Sequence, residues 1–277
     1  MATKKQQEYE NQILQWQAQK YDSLVRENGW LALAGLFWLK EGRNLIGSNP
    51  MCEVVLPERA PTFLGVVELK GQITRFTAAE GVQVKINDRL AQKAVLKSSQ
   101  EAKPSFITWN DDLRLVVHMH AGNFAIRIWD NRRKERFSLR PLKWFSINTE
   151  FRVAGKYTRY PDVHSAHSED TFGDVVEDRI DGYVTFKLKD TKYKLDVSET
   201  SQHKLFIKFR DETSSRETYP TGRYYYTEPV GTDGKVIVDF NYSYSPPCAF
   251  TEYATCIFAP QQNTLPFRVE AGEIYRG

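Results

Sequence analysis

The sequence predicts a mainly β protein with an N-terminal helical arm, and three observations carry that reading. From Gly42 onward the apolar residues recur with a period of two, the alternation of strands that bury one face. Turn dipeptides separate these runs at hairpin distance, which implies antiparallel sheets in place of helical crossovers. Aromatic residues make up 13% of the chain, as 6 Trp, 14 Tyr and 16 Phe, and such rings favour strands and bury large areas.

The arm is predicted over residues 5 to 28. Leu14, Ala18, Tyr21 and Val25 fall at helical spacing beside Ile13, Gln17 and Leu24, polar side chains fill the opposite face, and Asn28-Gly29 is a stop signal. The pattern is too short for a coiled coil, so the helix is expected to pack on the body of the protein. The apolar stretch Trp30 to Leu39 is expected to hold a second short helix from Leu31 to Leu39. Strands follow: Val82/Val84/Ile86, Leu113/Leu115/Val117/Met119 and Phe124/Ile126/Ile128, with Ala121-Gly122-Asn123 as a hairpin turn. The later half repeats the style in Val184/Phe186/Leu188, Tyr193/Leu195/Val197, Leu205/Ile207/Phe209 and Val236/Val238/Phe240, punctuated at Lys70-Gly71, Asp190-Thr191 and Asp233-Gly234. Residues 161 to 180 lack periodicity and are rich in Asp, His, Ser and Glu, which reads as a long loop. A chain of 277 residues accommodates two β units, and the expected division is a helical arm over 1–40, a β-sandwich over 41–145 and a second antiparallel barrel or sandwich over 146–277.

Apolar content of 41% excludes disorder as the dominant state. The 38 basic against 35 acidic residues leave a net charge of +3, too balanced for a nucleic-acid footprint, and the basic turn Asn131 to Arg136 reads as a solvated hairpin loop. The stretch Met1 to Glu8 is polar and lacks the apolar core of a secretory signal, and no run reaches the roughly 18 apolar residues of a membrane span. With three cysteines, Cys52, Cys248 and Cys256, the expectation is a cytoplasmic protein with free thiols. A Cys248–Cys256 disulfide stays open as an alternative.

Two resemblances add to this reading. The segments Asn44-Leu45-Ile46-Gly47-Ser48, Cys52 to Pro57, Gly65 and Val84 to Asp88 resemble the forkhead-associated (FHA) sandwich over roughly residues 40 to 100. The phosphate-binding Arg of that family is here Ser48, and its Ser-Arg-x-His stretch corresponds to Thr62-Phe63-Leu64-Gly65. Phosphothreonine readers need charge-assisted donors, so the resemblance implies a scaffold more than a phosphopeptide reader. The wider resemblance is to the family known as domain of unknown function 1684. It rests on Trp30-Leu31, Leu33, Gly35-Leu36, Trp38-Leu39, Gly42, Asn44 and Gly47-Ser48, then Ile126 to Asp130 and Phe209 to Thr213. Thr218-Tyr219-Pro220, Gly222-Arg223-Tyr224, Asp239-Phe240-Asn241, Tyr244, Pro246 to Phe250, Tyr253 to Cys256, Asn263 and Ala271-Gly272-Glu273 complete it. That family implies no reaction, cofactor or ligand.

Candidate chemistry gathers in the last third of the chain. Read as a strand, Asp239 and Asn241 share a face with Ile237, and buried polar side chains need partners, for which Asp211, Tyr219, Arg223, Asn263 and Glu273 are the candidates. One reading is a pocket in which Arg223 holds a small anionic molecule and Asp239, Asn241 and Glu273 orient it, with Asp239 and Glu273 as a carboxylate pair for hydrolysis. The bland reading is an ion-pair and hydrogen-bond network tying the C-terminal tail to the sheet. Cys248 follows Ser245-Pro246-Pro247, a rigid turn with a cis bond as one option; a nucleophilic thiol there needs a base that the neighbouring sequence does not offer, and a packing thiol is the default. His118 and His120 share a strand face, and His164 and His167 a loop, without a third ligand at fixed spacing, so no metal is expected. No cofactor motif is present. The function expected is binding of a small molecule in a polar and aromatic pocket of the C-terminal β unit. The alternatives are a protein-interaction module built on the FHA-like sandwich, which would make a protein the partner, and a purely structural network.

Overall fold

A computed structural model describes residues 3–275; Met1, Ala2, Arg276 and Gly277, at the outer ends of the predicted arm and C-terminal unit, lie outside the described residues. The fold is mainly β. Helix α1 covers Lys4–Val25, ending three residues before the predicted Asn28 stop. Two compact units emerge: Ser23–Leu139, and Met1–Asp22 together with Arg140–Gly277.

The first unit is a two-sheet sandwich. One sheet contains β1 (Leu33–Trp38), β6 (Lys85–Ile86), β7 (Arg89–Leu90), β9 (Phe106–Trp109), β10 (Leu113–His120) and β11 (Asn123–Asp130) in the order β1-β11-β10-β9-β6-β7. The other holds β2 (Gly42–Gly47), β3 (Val54–Val55), β4 (Gly65–Lys70), β5 (Ile73–Ala78) and β8 (Lys93–Leu96) in the order β3-β2-β4-β5-β8. Their inner faces meet through Ile46, Val67 and Phe76 from one sheet and Leu115, Val117, Ile126 and Ile128 from the other, the alternating residues of each strand. The β10–β11 turn has positive φ at Ala121 and Gly122, and β6–β7 does so at Asn87 and Asp88, the paired left-handed geometry whose twist suits two-residue hairpins. Where a second helix is predicted, the chain makes one tight turn at Trp30–Ala32 and then runs as edge strand β1 along β11. An apolar run without clear alternation does not distinguish the two by periodicity.

The second unit is a nearly closed barrel-like sheet of β13 (Arg152–Glu169), β14 (Val175–Leu188), β15 (Thr191–Glu199), β16 (Lys204–Phe209), β17 (Arg223–Pro229) and β18 (Lys235–Asp239), ordered β17-β16-β15-β14-β13-β18. Val184, Phe186, Leu195, Ile207, Phe209, Val238 and Phe240 fill its interior. Residues 161 to 180, predicted as a loop, are instead the outer part of the long β13–β14 hairpin, paired from His164↔Ile180 to Glu169↔Val175 beyond an irregularity after Arg159. β13 is largely exposed on both faces here, and the covered face of β14 carries the polar Asp178 between Val176 and Ile180, so the apolar alternation by which strands are recognised is missing or interrupted. Short strand β12 (Lys143–Trp144) pairs with β19 (Glu273–Ile274), and Trp16 of α1 packs edge-on against Trp144 and Tyr242 at 5.5 and 5.0 Å.

Candidate functional site

The residues predicted from sequence fall into separate clusters of the barrel unit. Arg223, at the start of β17, has no exposed surface. Its guanidinium donates to Asp211 Oδ1 at 3.2 Å, to the Val269 carbonyl at 2.9 Å and to the Ala271 carbonyl. Asp211 in turn accepts from the Val269 amide at 2.7 Å and the Thr213 hydroxyl at 2.9 Å. Burial lowers the Arg223 pKa against the opposing pull of Asp211, yet the group stays charged. Arg223 thus faces the protein's own carbonyls and carboxylate, clasping the C-terminal segment to the sheet. Gly272 allows the segment to come this close: its φ is +82°, and a Cβ would lie 2.5 Å from the Ser243 carbonyl oxygen.

Asp239 and Asn241 belong to a second cluster. The chain leaves the ladder after Asp239 and turns through a 3-10 helix at Phe240–Tyr242, where Asp239 caps the Asn241 amide at 3.1 Å. The expected shared strand face is therefore replaced by a cap, because the side chain competes for local backbone donors. The Tyr9 hydroxyl from α1 donates to Asp239 at 2.9 Å, Asn241 donates to that hydroxyl at 3.0 Å, and Arg152 lies 3.2 Å from the carboxylate. Desolvation pushes the Asp239 carboxyl up, and desolvation with the Asp239 charge pushes the Tyr9 phenol up.

Glu273 forms a third cluster. Buried to 3% exposure, it accepts from the Ser245 amide at 3.0 Å, and desolvation raises its carboxyl to about 7. Lys20 of α1, whose ammonium lies 3.2 Å from the Tyr244 ring centroid, is lowered by burial to about 8, against the pull of Glu273. Asn263 stands elsewhere again: its side chain accepts from the Asp196 amide and donates to the Asp196 and Lys208 carbonyls, each at 2.8 Å. Asp239 and Glu273, predicted as a possible acid–base pair, answer to different partners.

Tyr219 and Cys248 do come together. The Tyr219 hydroxyl donates to the Cys248 carbonyl at 3.2 Å, and the Cys248 amide donates to Cys256 Sγ at 3.3 Å. All three cysteines are free, and no described peptide bond is cis, Pro246 and Pro247 included.

The structure also shows features that sequence reading missed. Lys208 and Asp178 form an ion pair with side chains 5% and 7% exposed; a Lys alternating with core residues along a strand reads as solvent-facing. At one end of the barrel an open pocket of about 390 Å³ draws on four separate segments of the chain. Its walls include Tyr193 and Phe267, 4.7 Å apart between ring centroids, with Phe151 and Leu188. Glu150, Glu212, Glu270, Lys189 and Arg268 complete the rim, and Arg268 is engaged by Glu217 and Glu270 at 2.6 and 2.9 Å. Each of these residues taken alone resembles ordinary loop surface, so only the Tyr193 and Phe267 rings offered a signal.

In the sandwich, the Ser48 hydroxyl donates to the Ala60 carbonyl at 2.9 Å. His118 holds Arg127 at 3.1 Å from Nε2 and Ser99 at 3.2 Å from Nδ1, and desolvation first, then Arg127, lowers it to about 3. That environment suits a neutral imidazole in a polar network. Among the described residues no three His, Cys, Asp or Glu side chains gather as a metal site, and no helix is long and apolar enough to cross a membrane.

Comparison with known proteins gives a family without a reaction. No curated protein matches the chain. An uncharacterized protein of Haloarcula marismortui, solved by NMR, is 30% identical over 51% of this chain and 80% of its own, with a TM-score of 0.42. An FHA domain from work on phosphothreonine-dependent FHA interactions is 16% identical over 33% of this chain and 79% of its own, with a TM-score of 0.24. The FhaA FHA domain, solved in complex with an intracellular domain, is 15% identical over 34% and 96%, also at 0.24. Residues 138–274 match the model of a protein family of unknown function, DUF1684, and it is to this family that the chain belongs.

Proposed function

We propose that the barrel unit binds a small molecule at the open end of its barrel. The observation that carries this is the pocket itself: about 390 Å³, within the range of small-molecule sites, with an aromatic wall and polar groups confined to the rim. Tyr193 and Phe267 offer a surface on which a flat or apolar group packs. The rim sets the polarity of the ligand. Glu150, Glu212 and Glu270 face Lys189 and Arg268, and Arg268 is already held by two carboxylates. This balance favours an amine or another hydrogen-bond donor over an anion, because Arg223, the expected contact of an anion, is enclosed.

A thermal-shift screen of aromatic amines, neutral aromatics and aromatic acids tests the proposal. A ligand at 100 times its Kd stabilises by about 2.7 kcal/mol, enough to move the barrel transition measurably. Amines are expected to stabilise, and Glu150→Lys with Glu212→Lys, both exposed, to weaken them and favour acids. Absence of any stabiliser at millimolar concentration, or stabilisation indifferent to both reversals, refutes the proposal.

A further inference from the structure

Cys248 and Cys256 stand eight residues apart, on either side of a rigid corner. Cys248 lies in the tight turn Pro247–Ala249, half-buried, with Pro246 and Pro247 restricting the backbone. Cys256 is 6% exposed, and its carbonyl accepts from the Thr171 amide at 3.1 Å, pinning it to the tip of the β13–β14 hairpin. The Cys248 amide donates to Cys256 Sγ at 3.3 Å, which brings the two residues side by side. The Tyr219 hydroxyl donates to the Cys248 carbonyl at 3.2 Å. Cys248 is therefore the more exposed residue of the two, and Cys256 is buried beside it, its sulfur reached by the Cys248 amide.

This arrangement separates two roles. Donors aimed at Cys248, the Cys256 thiol first, favour its thiolate and lower its pKa, whereas Cys256 is held as the thiol and raised by its hydrogen bond to Cys248 and by burial. Thiolate character and access are what an attacking sulfur requires.

We propose that Cys248 and Cys256 form a reversible dithiol–disulfide centre that exchanges with low-molecular-weight disulfides, Cys248 as the attacking sulfur and Cys256 as the resolving one. The Cys248 thiolate attacks one sulfur of RSSR, forming a Cys248–SR mixed disulfide and expelling RS⁻. The proton of the Cys256 thiol passes to that RS⁻. The Cys256 thiolate then attacks Cys248 Sγ, forming the internal disulfide and expelling the second RS⁻. Two protein thiols are oxidised and one external disulfide is reduced; thiol in excess runs the sequence backwards.

Oxidised glutathione is the probe, with intact-mass analysis and peptide mapping of the full chain after acid quench and alkylation. The wild type is expected to lose two hydrogens, to yield a linked Cys248–Cys256 peptide, and to recover both thiols on reduction. Cys256→Ser is expected to stop at the Cys248 mixed disulfide, and Cys248→Ser to leave Cys256 unmodified. Cys52, which lies in the sandwich unit, serves as the internal reference. A wild type that leaves Cys248 unmodified while Cys52 reacts, or that keeps a lasting mixed disulfide on Cys248, overturns the proposal without reliance on either variant folding.

Discussion

Replacing Arg223 by Met tests whether the barrel is clasped by its buried cation. The two side chains of the Arg223–Asp211 pair are both 0% exposed. Met roughly fills the aliphatic volume but removes every donor, leaving the Asp211 carboxylate without its cation and the Val269 and Ala271 carbonyls without Arg223. Breaking one side of a buried ion pair costs about 3–5 kcal/mol, and the two carbonyls push the expected loss to the upper part of that range. For a unit of this size, each kcal/mol lowers Tm by about 2–4 °C, so the barrel transition should fall by roughly 8–20 °C. Calorimetry, with the sandwich transition as reference, reads the shift. Asp211→Asn keeps acceptor and shape while removing the charge, and a cycle with Arg223→Met should give a coupling of about 2 kcal/mol or more. Arg223→Lys should not rescue, because one ammonium cannot span the contacts of a planar fork. A loss below about 1 kcal/mol in Arg223→Met, or an equal loss with and without Asp211→Asn, would show that the clasp carries little of the stability.

The remaining expectations concern protonation and a seam. Glu273 has a folded-state pKa near 7, raised by burial, against about 4.3 in the unfolded chain. Between those values the folded state binds the extra proton, so this group's contribution to stability falls as pH rises from about 4.3 to 7 and is constant above. Glu273→Gln keeps an acceptor for the Ser245 amide and should remove that decline, gaining up to about 4 kcal/mol over wild type at pH 8 and almost nothing at pH 4; parallel stability curves across this window would rule the assignment out. Tyr225 donates to the Ile237 carbonyl at 3.1 Å and accepts from the Asp239 amide at 2.9 Å. Tyr225→Phe should cost about 1–3 kcal/mol and speed hydrogen exchange at the Asp239 amide, whose unchanged protection would contradict a role in closing the barrel.

Much of the fold was legible where one face of a strand meets a core. Leu113, Leu115 and Val117 recur at every second position because β10 turns that side to the core, and its turn to β11 is visible in Ala121-Gly122-Asn123. Legibility failed where apolar residues occupy both faces, as in Leu33–Trp38, where β13 is exposed on both faces, and where the covered face of β14 carries the buried Asp178 between Val176 and Ile180. The candidate site was readable as composition but not as geometry. Arg223, Asp211, Asp239, Asn241, Asn263 and Glu273 are all buried, as strand context suggested. Their partners, however, lie far along the chain: Tyr9 stands 232 residues from Asn241, and Val269 stands 58 from Asp211. No local pattern encodes such pairings, and the barrel-end pocket, drawn from four segments of the chain, has none to offer.

The polar residues of the barrel unit make more sense as substitutes for missing ladder bonds than as a scattered active site. β15 and β16 are paired only at Ser198↔Phe206 and Glu199↔Leu205, after which the strands part. Asn263 enters that gap and supplies to Asp196 and Lys208 the donors and acceptor a neighbouring strand would supply. Tyr225 does the same between β17 and β18. Arg223 and Glu273 extend the device to the irregular segment after β18, satisfying the Val269 and Ala271 carbonyls and the Ser245 amide. A buried, unpaired backbone group costs free energy comparable to a lost hydrogen bond, so a sheet that closes imperfectly must place polar side chains inside. In such a barrel, burial of a charged residue is therefore weak evidence for ligand chemistry. Accessibility discriminates better, and by that criterion the half-buried Cys248 and the open pocket beside Tyr193 are the proposed points of contact with another molecule.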